Sequence, residues 1–266
     1  MKFSGDSDIT LVVTSCGRFD LLARTLETFD AFNTAPINQV IITEDSGSDA
    51  VADALPAQWK EHTKIFVNRP KIGQLASIDL AYGAVKTPFI FHCEDDWEFY
   101  RRGFVEASRA ILEQMPSVLV VWLRSFAHDV RISYPFHSLG ERYVIEREAC
   151  SRLLSSNPSW QGFTFNPGLR RLQDYRPLAP FARFESSAAG ESGLSRAYAE
   201  RQFFAVILES DAVLHIGGEN HVWNPQDALK KKRKALRRAM RVLAALAALA
   251  VLGVGALIGA ALCGFD

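Results

Sequence analysis

The chain has 266 residues, 48% hydrophobic and 23% charged. That is enough for one large or two small domains with a buried core, and it excludes disordered, collagen-like and disulfide-scaffold classes. Formal net charge is +0, yet eight of the 30 basic residues and one of the 30 acidic ones lie from Lys230 onward, so the first 229 residues carry a net charge of −7. Concentration of the excess basic charge in that one run, with the rest of the chain net acidic, argues against nucleic acid as a partner.

In chain order, residues 1–8 are polar and acidic and run straight into a strand, so no export signal is expected. Residues 9–14 (ITLVVT) form a β-branched run ending at Ser15-Cys16-Gly17, after which Phe19, Leu22, Leu26 and Phe29 recur at helical spacing. The apolar run 39–43 stops at Glu44-Asp45-Ser46-Gly47-Ser48-Asp49, 65–67 is a brief strand, 72–85 reads as a helix, and the strand 89–93 runs into Glu94-Asp95-Asp96. A helix over 101–114 and a fully buried strand over 118–123 follow. This alternation predicts an α/β fold with a mostly parallel central sheet flanked by helices. Ligands of such sheets bind beyond the carboxyl ends of the strands, where three polar clusters sit: 14–18, 44–49 and 94–96.

Beyond about residue 125 the pattern loosens. Pro135, Pro158, Pro167, Pro177 and Pro180 break the chain, one helix is expected over 192–201, and strands are expected over 203–208 and 213–216. With no repeat and no clear linker, residues 1–225 read as one catalytic domain and 226–241 as a basic juxtamembrane helix. Residues 242–262 carry no charge over 21 positions. As a helix they would reach about 31 Å, close to the ~30 Å hydrocarbon core of a bilayer. The basic run Lys230-Lys231-Lys232-Arg233-Lys234 with Arg237, Arg238 and Arg241 precedes them, so a single C-terminal membrane pass with the catalytic domain in the cytoplasm is expected. A buried or interfacial Ala-rich helix is the alternative. Gly255-x-x-x-Gly259 would let two such helices pack closely, the basis of an expected homodimer.

Several kinds of chemistry are excluded. Cys16, Cys93, Cys150 and Cys263 form no CxxC pair, so neither a zinc site nor a disulfide framework is read from their spacing, and a reducing compartment is the default. There is no G-x-x-x-x-G-K-[ST] loop, no G-x-G-x-x-G after a strand and no G-x-S-x-G elbow. The carboxylate clusters are what remain. Glu94, Asp95 and Asp96 leave a strand together, and their like charges repel unless a cation is present. Hard oxygens on a short turn suit Mg²⁺ or Mn²⁺ completed by substrate phosphates; a solvated acidic loop capping the next helix is the other reading. The Glu44–Asp49 stretch is either an acceptor of hydrogen bonds from a ribose or base, or a turn closed by its own Asx and Ser caps.

Taken together, Val13-Thr14-Ser15-Cys16-Gly17-Arg18 before a helix, Glu44-Asp45-Ser46-Gly47-Ser48-Asp49, then Asn68, Gly73 and Asp79, and Phe89-Ile90-Phe91-His92-Cys93-Glu94-Asp95-Asp96 resemble the nucleotide-sugar-binding half of family 2 glycosyltransferases of the glycosyltransferase A fold. The resemblance covers residues 9–125 well and the next hundred loosely. It implies that Thr14 and Arg18 contact the nucleotide, that Asp45 holds the uracil or ribose, and that Asp79 stands where Asn is common. It makes Asp96 the direct metal ligand, with Glu94 or Asp95 nearer the ribose. Downstream, Gly190-Glu191-Ser192-Gly193-Leu194 resembles the stretch that carries the general base, giving Glu191 that role with Glu185 as its rival. His215-Ile216-Gly217 resembles a late histidine that meets the metal or diphosphate. Departures are Cys16-Gly17 in place of an aromatic and Asn, Ile78 where Arg is frequent, and Glu as the first acid of both clusters.

The expected activity is therefore metal-dependent, inverting transfer of a sugar from a nucleoside-diphosphate sugar, UDP above others, to a lipid-linked or glycan acceptor. A catalytically silent membrane-tethered scaffold is the alternative. A nucleotidyltransferase is disfavoured, since its Gly- and Arg-rich first loop is missing.

Overall fold

Every position of β1 (Ile9–Ser15) is buried, as suits a strand covered on both faces. Gly17, at φ +73°, turns the chain into α1 (Phe19–Phe32), whose Leu22, Leu26 and Phe29 form one buried stripe. Next come β2 (Gln39–Glu44), β3 (Thr63–Val67), α2 (Gln74–Ala84), β4 (Phe89–Glu94), β5 (Trp97–Phe99), α3 (Phe104–Gln114) and β6 (Val118–Trp122). A π-helical turn (Phe126–Val130) then runs into α4 (Arg131–Ser133) and the hairpin β7 (His137–Ile145) and β8 (Glu148–Ser155). The rest is β9 (Gly168–Arg171), α5 (Leu172–Tyr175), α6 (Ser187–Glu200), β10 (Phe204–Leu208) and β11 (Val213–His215). This computed structural model describes residues 1–218 and Met240, and the account here concerns the first of the chain's two units, Met1–Glu219.

The architecture is α/β with mixed sheets. One sheet has the order β3-β2-β1-β4-β9, parallel except for the last pairing; a second runs β6-β10-β8-β7, and β11 pairs with β5. Register sets the site, because Ser15 lies opposite Glu44, Thr14 opposite Glu94, and Glu44 opposite Val67. The three polar clusters therefore emerge on one edge. Side chains alternate across the first sheet: Leu11, Val13 and Phe91 pack with Leu26, Phe29 and Phe104, while Val12, Ile41 and Ile90 pack with Ile78, Tyr82, Phe163 and Leu194. Burial on both faces leaves the strand ends as the accessible polar edge.

Several boundaries differ from expectation. The third helix starts at Phe104 because Arg101 is turned away, its guanidinium donating to the carbonyls of Ser210 and Asp211 at 2.8 and 3.0 Å, and Gly103 at φ +79° reverses the chain. Helix α6 starts at Ser187, five residues early, with the Ser186 hydroxyl accepting from the Ala189 N–H at 3.3 Å. Glu191 thus lies inside a helix rather than before one. Strands β5, β7, β8 and β9 are absent from the sequence reading. Among the described residues no helix is long and apolar enough to cross a membrane. The expected span 242–262 lies outside the described residues, as does the basic helix 226–241 apart from Met240.

Candidate active site

The acidic triplet sits where β4 turns into β5. Asp95 and Asp96 are buried, and Arg18, just after β1, is placed by that turn to neutralise both. Its Nη1 donates to Asp96 Oδ2 at 2.8 Å, its Nε to Asp95 Oδ2 at 3.4 Å, and its Nη2 pairs with Asp95 Oδ1. The Cys16 N–H adds a bond to Asp95 Oδ2 at 3.3 Å. Pairing of β11 with β5 puts His215 opposite Trp97, and from there His215 Nε2 reaches Asp96 Oδ2 at 3.2 Å. Burial raises the Asp96 carboxyl, but the His215 contact and the Arg18 charge outweigh it and hold the group below its ordinary range. Asp95 goes the other way, burial outweighing Arg18. At Glu94, burial and then the charges of Asp96, Glu191 and Asp95 push the carboxyl up to about 8.

Gly217 completes this corner. A Cβ there would stand 2.3 Å from Asp96 Oδ2, so only glycine lets this backbone lie against the carboxylate. Asp96 and His215 offer one carboxylate and one imidazole to the same point. That donor set fits Mn²⁺ or Mg²⁺ when phosphate oxygens fill the remaining positions. Among the described residues no three His, Cys, Asp or Glu side chains form a metal cluster by themselves.

The two neighbouring loops are tied together by Glu44. Its Oε1 accepts from the N–H groups of Ser46 and Gly17 at 2.7 and 3.0 Å, joining the ends of β2 and β1. Asp45 accepts from Asn68 Nδ2 at 3.0 Å and from the N–H groups of Ile72 and Gly73 at 2.8 Å, which fixes the loop before α2. Thr14 is buried at the same strand edge. Asp79 is not part of this constellation: it accepts from the Tyr175 hydroxyl and the N–H groups of Phe181 and Ala182 at 2.7–2.8 Å, clamping α2 to the 176–183 segment. Ile78, at the position where Arg is frequent, is core.

The downstream acids separate clearly. Glu191 points back to the acidic edge, its Oε1 accepting from the Thr164 hydroxyl and the Phe165 N–H at 3.0 and 2.9 Å. Burial raises its carboxyl, with those two hydrogen bonds opposing the shift. Gln74 donates to Glu94 Oε1 at 2.5 Å and accepts from the Ser187 hydroxyl, linking the starts of α2 and α6 to the triplet. Glu185 is exposed in the loop before α6, and Asp174 is engaged by Arg171 at 2.7 Å. Sequence reasoning missed Gln74 and Thr164, which nothing in the sequence marks. It named the stretches that hold Glu44 and Gly217 but gave neither residue its role here, the one tying two strand ends together and the other yielding space to the Asp96 carboxylate.

No protein-family model matches the sequence, and no curated protein matches it. The fold does match solved structures. It is similar to the mannosyltransferase PcManGT from Pyrobaculum calidifontis, solved with GDP-Man and Mn²⁺, at TM-score 0.58 and 13% identity over 82% of this chain and 60% of that one. Residues 1–349 of TarS from S. aureus match at TM-score 0.56 and 12% identity over 82% and 61%. GalNAc-T7, solved with UDP, GalNAc and Mn²⁺, matches at TM-score 0.56 and 10% identity over 81% and 45%. This chain spans about three fifths of the length of the first two and less than half of the third. Its α/β architecture is that of a glycosyltransferase fold.

Proposed function

We propose that the chain is a metal-dependent, inverting glycosyltransferase of the family 2 type, using a nucleoside-diphosphate sugar, UDP-linked above others, and anchored by its C-terminal segment with the active site toward the cytoplasm. The observation that carries this reading is the convergence, on one sheet edge, of Arg18, Asp45, the Glu94-Asp95-Asp96 triplet and His215, with Glu191 directed at the same edge. The neighbours' Mn²⁺ and nucleotide or nucleotide-sugar ligands are consistent with it. Thr14 and Asp45 border the nucleotide position. The cation held by Asp96 and His215 would supply charge neutralisation for the departing diphosphate.

Among the described residues the hydrogen bonds to Glu191 fall on Oε1, and Oε2 is the oxygen that would take the proton of the acceptor hydroxyl. The hydroxyl oxygen forms the new bond to the anomeric carbon from the face opposite the diphosphate. The bond to the diphosphate oxygen breaks with its electron pair, so configuration inverts in one displacement. Arg18, already between Asp95 and Asp96, is placed to meet the diphosphate charge as well.

The test is calorimetric binding of UDP, GDP and their sugars to the full chain, with Mn²⁺ or with chelator, on wild type and Asp96→Ala. Metal-dependent binding of one nucleotide that disappears in the variant is the expected result. If no nucleotide binds under any metal condition, the donor-site assignment fails.

A further inference from the structure

A concavity lies outside the acidic corner. Strand β6 runs parallel to β10, so the segments that follow the two strands leave on the same side. Beyond β6 and β10 lies a cleft of about 340 Å³, within the ~300–1,000 Å³ range of small-ligand sites. Phe126 from the π-helical turn and Leu139 from β7 give it an apolar wall. Ser151, His128, Glu209 and Asp211 supply a hydroxyl, an imidazole and two carboxylates. Among the described residues no Lys or Arg lines it. Arg142, outside the lining, forks onto Glu209 at 2.6 and 3.1 Å, so its charge is already matched.

The 125–128 segment that lines the cleft is flanked by Arg124 and Asp129, whose charges are felt at the proposed reaction centre: Asp129 interacts with His215. Arg124, next to the turn, is buried, grips Asp129 at 2.5 and 2.6 Å, and bridges to Val213 at the start of the strand that delivers His215. The Arg124 charge also acts on Glu191.

Resting on the glycosyltransferase reading, we propose that this cleft is the acceptor subsite and that it binds an uncharged, hydroxyl-rich sugar ring. Such a ring has an apolar face for Phe126 and Leu139 and a hydroxyl rim that donates to carboxylate, imidazole and serine oxygen. A phosphorylated acceptor end finds no cation to hold it among the described residues of the lining.

The experiment uses the full chain with Mn²⁺ and reads saturation-transfer NMR on methyl glucoside, galactoside, mannoside and N-acetylglucosaminide, and on glucose 6-phosphate and glycerol 3-phosphate. At least one neutral glycoside shows ring-proton transfer, and neither phosphate does. Leu139→Trp fills the cleft from a position that is 45% exposed and abolishes the transfer. Phe126→Ala, kept as a second variant in case the first fails to fold, weakens binding about tenfold. Octyl versions of the same glycosides, below micelle formation, separate the two sources of such a ring: a glycolipid head group favours the octyl form, a free glycan end does not. Transfer unchanged in both folded variants, transfer only on the phosphates, or none on any probe overturns the assignment. Nucleotide calorimetry on the same samples reports the donor site independently. Glycoside binding without nucleotide binding sinks the transferase reading, and the reverse sinks only this cleft.

Discussion

The two halves of the described chain build their parts of the site by different physics. In the first 125 residues, parallel strands in fixed register bring each post-strand loop to one edge, and hydrogen bonds from Glu44 and Asp45 to backbone N–H groups lock those loops. From 126 to 218, the contributions arrive through long-range contacts: Glu191 by the docking of α6, His215 by the pairing of β11 with β5, the cleft by a hairpin folded against β10. Register places backbone within a strand spacing, and side chains follow. Docked elements place single atoms, so each depends on one or two contacts. A change at Glu191 should therefore strike chemistry with little effect on donor binding, whereas a change in the first half, or where the 215–217 segment meets Asp96, should strike both.

Glu191→Gln is the sharpest version of that contrast. It should cost transfer about 100- to 10,000-fold, the usual weight of a general base, while calorimetry finds nucleotide binding within a few-fold of wild type. Glu185→Gln, at an exposed position in the loop before α6, should leave transfer unchanged. Loss of activity in Glu185→Gln with Glu191→Gln intact would hand the role to the rival. Next in size is the metal corner. Asp96→Ala should lower metal-dependent nucleotide binding beyond the ~10–100-fold that disturbing a ligand's supporting partner costs, and Gly217→Ala, whose Cβ meets the Asp96 carboxylate, should fall within that range. Gly217→Ala behaving as wild type would show that the 215–217 segment does not meet the metal.

Asp45→Asn tests the first half by itself. One of its oxygens becomes a donor facing N–H groups it can no longer accept from, so about 1–3 kcal/mol of stability should be lost. At roughly 2–4 °C per kcal/mol for a unit of this size, calorimetric melting resolves that. An unchanged melting temperature would mean the 68–73 loop is held by its other contacts.

The same contrast explains what the sequence disclosed. Strands β1, β2 and β4 announce themselves because residues buried on both faces must be apolar throughout, and the polarity change at Ser15, Glu44 and Glu94 marks their ends. The hairpin is invisible for a specific reason: its turn, Glu146-Arg147, takes φ +54° and +99° without the Asn-Gly or Gly-Gly that usually signals such geometry, and Glu141, Arg142, Glu148 and Arg152 interrupt the apolar pattern of its strands. Strand β9 is four residues long and gains identity only by pairing with β4. For the site, acids at strand ends were legible as positions. Their partners were not, since Gln74 reaches Glu94, and Thr164 reaches Glu191, only after distant segments pack.

The smallest effect is a pH profile, and it probes the place where the halves meet. Burial raises the Glu191 carboxyl above its ordinary 4.5, so a base at this position is protonated, and idle, at pH values where a free glutamate would work. The transfer rate should fall as pH drops through that raised value, and the acid limb should vanish in Glu191→Gln. The stability sign is opposite: the native state holds this proton more tightly than the unfolded chain, so its contribution is fully present below the ordinary value and is lost as pH rises through the raised one. Wild type should therefore melt at progressively lower temperature than Glu191→Gln across that window. Burial, then the charges of Asp96, Glu191 and Asp95, push Glu94 up to about 8, so below that value it is mostly in its neutral form. Glu94→Gln copies that neutral form and should leave the acid limb where it is. A limb at the ordinary value of a solvated glutamate, or one displaced by Glu94→Gln, would mean that the two carboxyls do not divide the charge in this way.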